Sequence, residues 1–241
     1  MSLGILLMLL AVAPPTVIDL THPVSAHIPT FSGKPQFSAH ETGTAEYSMR
    51  DIEIGEHTGT HVDAPAHFVK GKPTVDAIPA SALYAPAVVI DVREKVEKDP
   101  DYRISAADLQ AWEKAHGRIP FGALVVGVTG WSRHWIEPKR YRNPDAQGVL
   151  HFPGFGEDAV DWLIKNRPRV VGLAIDTLSV DYGPSTHFEV HKKSHAAGFY
   201  HIENLDRPER LPKSGATIVV GVLPLDHGSG APARILALLP R

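Results

Sequence analysis

Short apolar runs recur along the chain, and stretches with a helical pattern lie between them. Most runs are rich in β-branched residues, and the runs are short and bounded by glycine, proline or charged residues, as strands usually are. The pattern therefore predicts strands, which we place at residues 17–20, 87–92, 124–128, 170–175, 217–222 and 235–239.

Helix signals occupy three of the intervening segments. Ser105 and Asp108 form a capping-box pattern, and Gly117 follows the last turn of the same segment. The other two segments end before Pro168 and Gly198, which are typical of helix ends. The predicted helices cover residues 105–116, 156–166 and 188–197. Strands and helices mix throughout, so we expect one α/β domain with a mixed sheet over residues 16–241.

Two segments, residues 30–50 and 129–155, show neither period and are predicted to be long loops. Loops of this length in a compact domain tend to be functional. The second carries Trp131 and His134 just after a predicted strand. These side chains either line a pocket for a flat ligand or belong to an aromatic cluster that pins a surface loop.

Composition narrows the chemistry available to the chain. The 241 residues are 43% hydrophobic and 21% charged, with a net charge of −3 and no basic block, which argues against a nucleic-acid surface. The chain has no cysteine, so disulfides, thiolate zinc sites and a cysteine nucleophile are excluded. Any metal ion must be held by His, Asp, Glu and water.

The N-terminal segment, residues 1–15, is set apart by an apolar run over residues 3–13. The run is too short to span a bilayer. It is similar to the apolar core of a secretory signal, but no Lys or Arg precedes it. We expect a cytoplasmic protein without a membrane partner; the alternative is an exported protein with a remnant leader.

The densest chemical signal lies at residues 57–67, which hold three of the chain's 14 histidines and one aspartate. His57, His61, Asp63 and His67 all fall on odd positions. In an extended chain, alternate side chains point to the same side, so all four are expected to converge. Imidazole and carboxylate are ligands of divalent cations. The segment predicts a metal site with one group left for proton transfer; the alternative is a polar surface strand.

A helix would also bring His57 and His61 together, but the local residues disfavour one. Gly59 and Pro65 weaken a helix, and the β-branched residues nearby prefer an extended chain. An extended segment with a glycine kink and a proline turn fits better.

A second group of histidines follows near the C-terminal third of the chain. His187, His191 and His195 are four residues apart and form a stripe on the predicted third helix. The neighbouring lysines favour a solvated face for this stripe. A strand after the helix can fold back, however, and bring Glu203 near His191, as metal sites often draw ligands from distant segments.

The motifs together resemble those of the metal-dependent cyclase family, which includes bacterial kynurenine formamidases and isatin hydrolases. The most specific is HTGTHVDAPAHF, residues 57–68, followed by TVDAIP, residues 74–79. Supporting motifs are IDLTHP (18–23), TGW (129–131), HFPG (151–154), IDTLS (175–179) and GSGAP (228–232). The run WSRHW (131–135) and HFPG place the chain closer to the isatin hydrolase branch.

The resemblance implies a swivelling β/β/α fold, assembly as a homodimer or homotetramer, and hydrolysis of an amide C–N bond with manganese or zinc. By position, His57, His61 and Asp63 match the ligands of a first metal ion, and His67 matches the catalytic acid/base. His191 and Glu203 match the pair that completes a second ion in the formamidases, whereas the isatin hydrolase site resembles a single manganese centre. Phe31 loosely matches a substrate-facing aromatic residue, and His195 has no expected role.

Together these expectations predict a metal-dependent hydrolysis. A bound cation lowers the pKa of its water from ~16 toward ~7 and polarises a carbonyl. We expect metal-bound hydroxide to attack an aryl amide or an isatin-like lactam, with His67 moving protons and Phe31, Trp131 and His134 contacting the small-molecule substrate. The alternatives are an N-formylkynurenine formamidase and a non-catalytic metal-dependent binding protein. No Gly-x-Ser-x-Gly motif supports a serine hydrolase.

Overall fold

A curved mixed sheet carries the fold in the computed structural model, which describes residues 15–240. The strands are β1 (Val17–Asp19), β2 (Phe37–Glu41), β3 (Arg50–Ile54), β4 (His61–Asp63), β5 (Tyr84–Asp91), β6 (Arg103–Ile104), β7 (Leu124–Val128), β8 (Gly154–Phe155), β9 (Gly172–Ile175), β10 (Tyr200–Glu203), β11 (Thr217–Val222) and β12 (Gly230–Leu238). The helices are α1 (Arg93–Val96), α2 (Ala106–His116), α3 (Pro138–Arg142), α4 (Glu157–Asn166) and α5 (Glu189–Ala196).

Eight of the strands form one sheet in the order β1-β12-β11-β5-β7-β9-β10-β4. The pairs β5–β7, β7–β9 and β9–β10 are parallel, and the others are antiparallel. Strand β12 pairs with β4 as well, through residues Gly230–Pro232. This last pairing joins β4, at one end of the order, to the second strand from the other end, so the sheet curls into a barrel-like arrangement.

Alternate residues of the sheet enter two separate cores. Val88 and Ile90 of β5 pack into a core shared with residues of α2, α4 and α5, whereas Val89 packs inside the curled sheet. The same alternation in β9 sends Leu173 to the helical side and Ala174 to the inside. Because both faces of the central strands are buried, the sequences of these strands are continuous apolar runs. The expected α/β domain with a mixed sheet is confirmed.

The six predicted strands are all present, with differences at their ends. The run at residues 124–128 is β7 and that at 217–222 is β11. The run at 87–92 belongs to the longer β5, and the run at 235–239 is only the second half of β12. The predicted apolar segment at residues 3–13 lies outside the described residues. None of the helices within residues 15–240 is long and apolar enough to cross a bilayer.

Both predicted long loops contain regular structure, so those two predictions were wrong. Residues 30–50 hold β2 and the first residue of β3, which form an antiparallel hairpin. The hairpin is mostly exposed, so it has no buried face to give an alternating pattern. Residues 129–155 hold a 3-10 turn (Trp131–His134), α3 and β8.

The capping box predicted for α2 is formed. Asp108 accepts hydrogen bonds from the backbone N–H and the hydroxyl of Ser105, and the Ser105 hydroxyl accepts one from the Asp108 N–H. Lys95 and Tyr102 also donate to the Asp108 carboxylate. Burial raises the pKa of Asp108, but the hydrogen bonds from Lys95 and Ser105 outweigh it and leave the pKa below its usual range.

Replacing Asp108 with Asn should therefore lower the free energy of unfolding by about 1 kcal/mol at pH 7. Since the folded pKa is below the unfolded one, the charged carboxylate stabilises the fold above about pH 4, and this contribution fades as pH falls through the folded pKa. Urea unfolding at several pH values measures the effect. Glu97→Gln, at an exposed carboxylate, is the control. A destabilisation that is equally large at low pH would contradict this account.

Candidate metal centre and active site

Two neighbouring strands bring four ionisable side chains to one face of the sheet. In the antiparallel pairing of β4 with β10, His201 lies opposite Asp63 and Glu203 lies opposite His61. The intervening Val62 and Ile202 point the other way, into the core inside the sheet. Each strand thus contributes one imidazole and one carboxylate to the face that α5 covers.

His57 and His67 reach the same place by turns. Gly59, with a φ of +68°, bends the chain before β4, and Pro65 begins a 3-10 turn after it. His57 Nδ1 lies 2.5 Å from Asp63 Oδ1, and the rings of His57 and His67 stack with centroids 3.9 Å apart. The predicted convergence is therefore found, but the prediction of one extended face was wrong for these two histidines.

Helix α5 supplies a third part of the cluster. His191 Nε2 lies 3.5 Å from Asp63 Oδ2 and 3.4 Å from Glu203 Oε1. His195, one turn later, stacks on His201 with ring centroids 4.0 Å apart. Both helical histidines are buried, so the alternative of a solvated face is wrong for these two residues. His187 precedes α5, because the helix begins only at Glu189.

Asp63 is the shared centre of these contacts, since each of its oxygens faces two imidazoles. His57 and His61 approach Oδ1, with His61 Nε2 at 3.1 Å. His191 and His201 approach Oδ2, with His201 Nδ1 at 3.9 Å. His/Asp/Glu donors thus form two overlapping groups, one of His57, His61 and Asp63 and one of Asp63, His191, His201 and Glu203.

In three of these imidazoles, the outer nitrogen, which faces away from Asp63, is held by a hydrogen bond. That bond keeps the other nitrogen directed toward Asp63. His61 Nδ1 donates to the Gly59 carbonyl at 2.8 Å, and His191 Nδ1 donates to Asp181 at 2.6 Å. The Ser229 hydroxyl donates to Glu56, so its oxygen accepts from His57 Nε2 at 2.9 Å. Hydrogen-bonded outer nitrogens of this kind orient metal-ligating histidines. The donors present therefore fit a divalent cation.

The charges of the cluster also favour a cation. Burial lowers the pKa of His61, but the adjacent Asp63 and Glu203 carboxylates outweigh it and raise the pKa to about 9. Burial and the charge of Asp63 both raise the pKa of Glu203. Two carboxylates buried side by side need positive charge between them, either protons on the histidines or a metal ion.

His67 differs from the other histidines of the motif. Its ring is exposed to the cavity described next, yet desolvation by the protein around it lowers its pKa to about 4. The imidazole is therefore neutral at neutral pH and able to accept a proton. It stacks on His57 rather than facing Asp63, which leaves its nitrogens free of the carboxylate contacts that occupy His61 and His191.

The cluster of His, Asp and Glu side chains opens into a cavity of about 240 Å³. Three phenylalanines line its apolar side: Phe31, Phe68 and Phe188. Phe188 lies between the other two, with ring centroids 6.0 Å from Phe31 and 5.5 Å from Phe68. The cavity therefore presents aromatic faces next to a polar centre, as small-molecule sites do.

The structure does not bring Trp131 and His134 to this cavity. The Trp131 indole N–H donates to the carbonyl of Tyr141, and His134 is buried beside the Trp131 ring. The same segment supports the site indirectly, because the Tyr141 hydroxyl donates to Asn204, whose amide donates to the Gly59 carbonyl. Of the three predicted substrate contacts, only Phe31 lines the cavity.

Sequence reasoning missed three residues of the site. His201 carried a usable signal, because His201-Ile202-Glu203 repeats the pattern of His61-Val62-Asp63 on a strand. Phe68 also had one, since it directly follows the motif. No sequence signal pointed to Phe188. It precedes α5 with a φ of 52°, a backbone conformation that the sequence pattern does not predict.

Comparison with known proteins agrees with this geometry. The Cyclase family model matches residues 18–182. The chain belongs to the Cyclase family. An isatin hydrolase from Roseibium aggregatum is 29% identical to it over 93% of the chain and 92% of that relative. A kynurenine formamidase from Bordetella petrii is 33% identical over 72% of the chain and 74% of that relative.

A solved structure extends the comparison to the fold. Isatin hydrolase A from Ralstonia solanacearum matches with a TM-score of 0.87 and 36% identity, over 93% of this chain and 92% of that one. The family inferred from the motifs is confirmed, as is the greater likeness to the isatin hydrolase branch. These relatives are hydrolases of amide bonds, and the buried His/Asp/Glu cluster of the chain points to a divalent metal ion.

If the cluster binds a divalent cation only in the folded state, zinc or manganese should stabilise the protein after chelation. The free energy of unfolding should rise by about 2.7 kcal/mol at a free-metal concentration of about 100 times Kd. Asp63→Asn should remove most of this gain, because both donor groups share Asp63. Thermal unfolding with and without metal measures it, and Asp226→Asn, at an exposed carboxylate, is the control. An unchanged metal-dependent shift in Asp63→Asn would contradict the assignment.

Proposed function

We propose that the chain is a metal-dependent amidohydrolase that cleaves the C–N bond of an isatin-like aryl lactam. One observation carries the proposal: imidazole nitrogens converge on Asp63 in the wall of a cavity that three phenylalanines also line. The likeness to isatin hydrolases, which extends over 93% of the chain, supports a cyclic amide as substrate. The alternative substrate is N-formylkynurenine, supported by the formamidase relatives.

The donor set assigns the ligands. His57, His61 and Asp63 would hold one ion, and His191 and Glu203 would hold a second with the other oxygen of Asp63. Imidazole and carboxylate suit zinc and manganese alike. When bound, such an ion supplies an acidified water and polarises the amide carbonyl.

The remaining steps belong to the side chains. His67 is neutral and exposed to the cavity, so it can accept a proton from the attacking water and deliver it to the leaving nitrogen. Phe31, Phe68 and Phe188 would contact the aryl ring and orient the amide toward Asp63. His57, against which His67 stacks, limits the positions that the His67 ring can take.

A substrate panel tests the proposal directly. Isatin, N-formylkynurenine and related cyclic amides are assayed after chelation and after adding back zinc or manganese. We expect metal-dependent opening of isatin or a similar lactam. Turnover of N-formylkynurenine alone would favour the formamidase alternative, and no hydrolysis of any compound with either metal would overturn the proposal.

Replacing His67 with Ala separates catalysis from metal binding. Loss of a proton carrier should lower kcat by about 100- to 10,000-fold. The metal content should stay unchanged, because His67 is in neither donor group. Steady-state kinetics and elemental analysis measure the two effects, with His227→Ala at an exposed histidine as the control. Full activity in His67→Ala would show that the chain uses another group, and loss of metal would show that His67 is a ligand.

Replacing Phe31 with Ala should weaken substrate binding. An aromatic pair contributes about 0.5–1.5 kcal/mol, so KM for isatin should rise about 2- to 10-fold with little change in kcat. Phe121→Ala, at a phenylalanine that is 75% exposed and does not line the cavity, is the matched control. An unchanged KM would place the aryl ring elsewhere.

Two further parts of the proposal concern assembly and location. From the family resemblance we propose a homodimer or homotetramer, and light scattering at several concentrations measures its size. A cytoplasmic location is proposed from the sequence, with export as the alternative.

A further inference from the structure

His201 is buried in the site and none of the roles above uses it. Its ring is fully buried, and it lies on β10 two residues before Glu203, on the same face of the strand. Its Nδ1 atom has no hydrogen-bond partner among the described residues. A buried polar atom without a partner lowers the stability of the folded state, so we expect this nitrogen to bind a ligand.

The other nitrogen of the ring fixes the direction of the free one. The Ser194 hydroxyl donates to the Val190 carbonyl at 2.5 Å, so its oxygen accepts from His201 Nε2 at 2.7 Å. The proton is then on Nε2, which leaves Nδ1 as an acceptor without a donor, 3.9 Å from Asp63 Oδ2. A cation between these two electron-rich atoms would stabilise both of them.

The spacing around Oδ2 matches donors that share one ion. Two ligands about 2.0–2.1 Å from a tetrahedral zinc ion lie about 3.4 Å apart. His191 Nε2 is 3.5 Å from Asp63 Oδ2 and 3.4 Å from Glu203 Oε1. These contacts, like that of His201 at 3.9 Å, are longer than direct hydrogen bonds. One atom of each of the four residues lies within 4.8 Å of the others.

We propose that His201 is the fourth protein ligand of the ion on the Oδ2 side of Asp63, together with His191 and Glu203. This inference deepens the proposed function, since it divides the two ion positions by coordination. Among the described residues, four donors converge at the Oδ2 position, which would be closed. Three donors, His57, His61 and Asp63, converge at the Oδ1 position, which borders the cavity; the second Glu203 oxygen lies 3.6 Å from His61 Nε2 beside it. Closed sites are typical of structural ions and open sites of catalytic ones.

His195 offers a matched control for His201. The two rings are stacked on each other, and both are fully buried. Both His195 nitrogens also lack a hydrogen-bond partner among the described residues, but His195 is in neither group of converging donors, so it is the convergence that distinguishes His201. His201→Phe and His195→Phe therefore remove an imidazole of the same kind from the same place, and only the first removes a proposed ligand.

Zinc alone is the probe, and the full chain is titrated after chelation. We expect two zinc ions per chain in the unaltered protein and in His195→Phe, with slow release of one ion to a chelator. His201→Phe should hold one ion only, or bind the second at least about 10- to 100-fold more weakly. Ser194→Ala keeps the ring but loses its orientation, and should weaken the second ion by about 10- to 100-fold.

A spectroscopic readout covers the case in which a variant fails to fold. In the unaltered protein labelled with ¹⁵N-histidine, Nδ1 of His201 should shift when the second zinc equivalent binds, while the His195 nitrogens keep the shifts of free nitrogens. A second ion that binds His201→Phe with unchanged affinity would overturn the proposal. A His201 signal that does not respond to zinc, or one zinc ion per chain in the unaltered protein, would overturn it too. The number of zinc ions per chain does not depend on the outcome of the substrate panel. The experiments can therefore contradict either proposal without the other.

Discussion

The contact on which the site depends is the burial of one carboxylate, Asp63, among four imidazoles. An isolated buried carboxylate is strongly unfavourable, and it becomes tolerable only when donors or cations surround it. Its two oxygens face different histidine pairs, an arrangement that would allow Asp63 to bridge the two proposed ion positions. The outer hydrogen bonds from His61 to Gly59 and from His191 to Asp181 keep the inner nitrogens aimed at it.

A three-residue strand of the sheet positions that carboxylate. Strand β4 pairs with β10 on one side and with β12 on the other, so it closes the curled sheet while carrying His61 and Asp63. Val62 anchors the strand in the inner core, and the polar side chains on either side of it face α5. The strand that closes the sheet is therefore also the strand that carries two donors of the proposed metal centre.

Much of this was predictable because the signals were local. The apolar runs predicted the central strands, and the capping box predicted α2. The motif at residues 57–67 predicted four residues of the site. The resemblance added His191 and Glu203 from the far end of the chain. Other features were not local. The β2–β3 hairpin is exposed and lacks an apolar period, and the burial of His191 and His195 depends on how α5 packs against the sheet. The placement of Trp131 likewise depends on its partner Tyr141.

The central claim is that Asp63 joins two ion positions at the end of an aromatic cavity. Anomalous diffraction from crystals grown with zinc tests it most directly. Two anomalous peaks are expected, one beside each oxygen of Asp63, the first in contact with His57 and His61 and the second with His191 and Glu203. A single peak, or peaks that do not contact Asp63, would contradict the account.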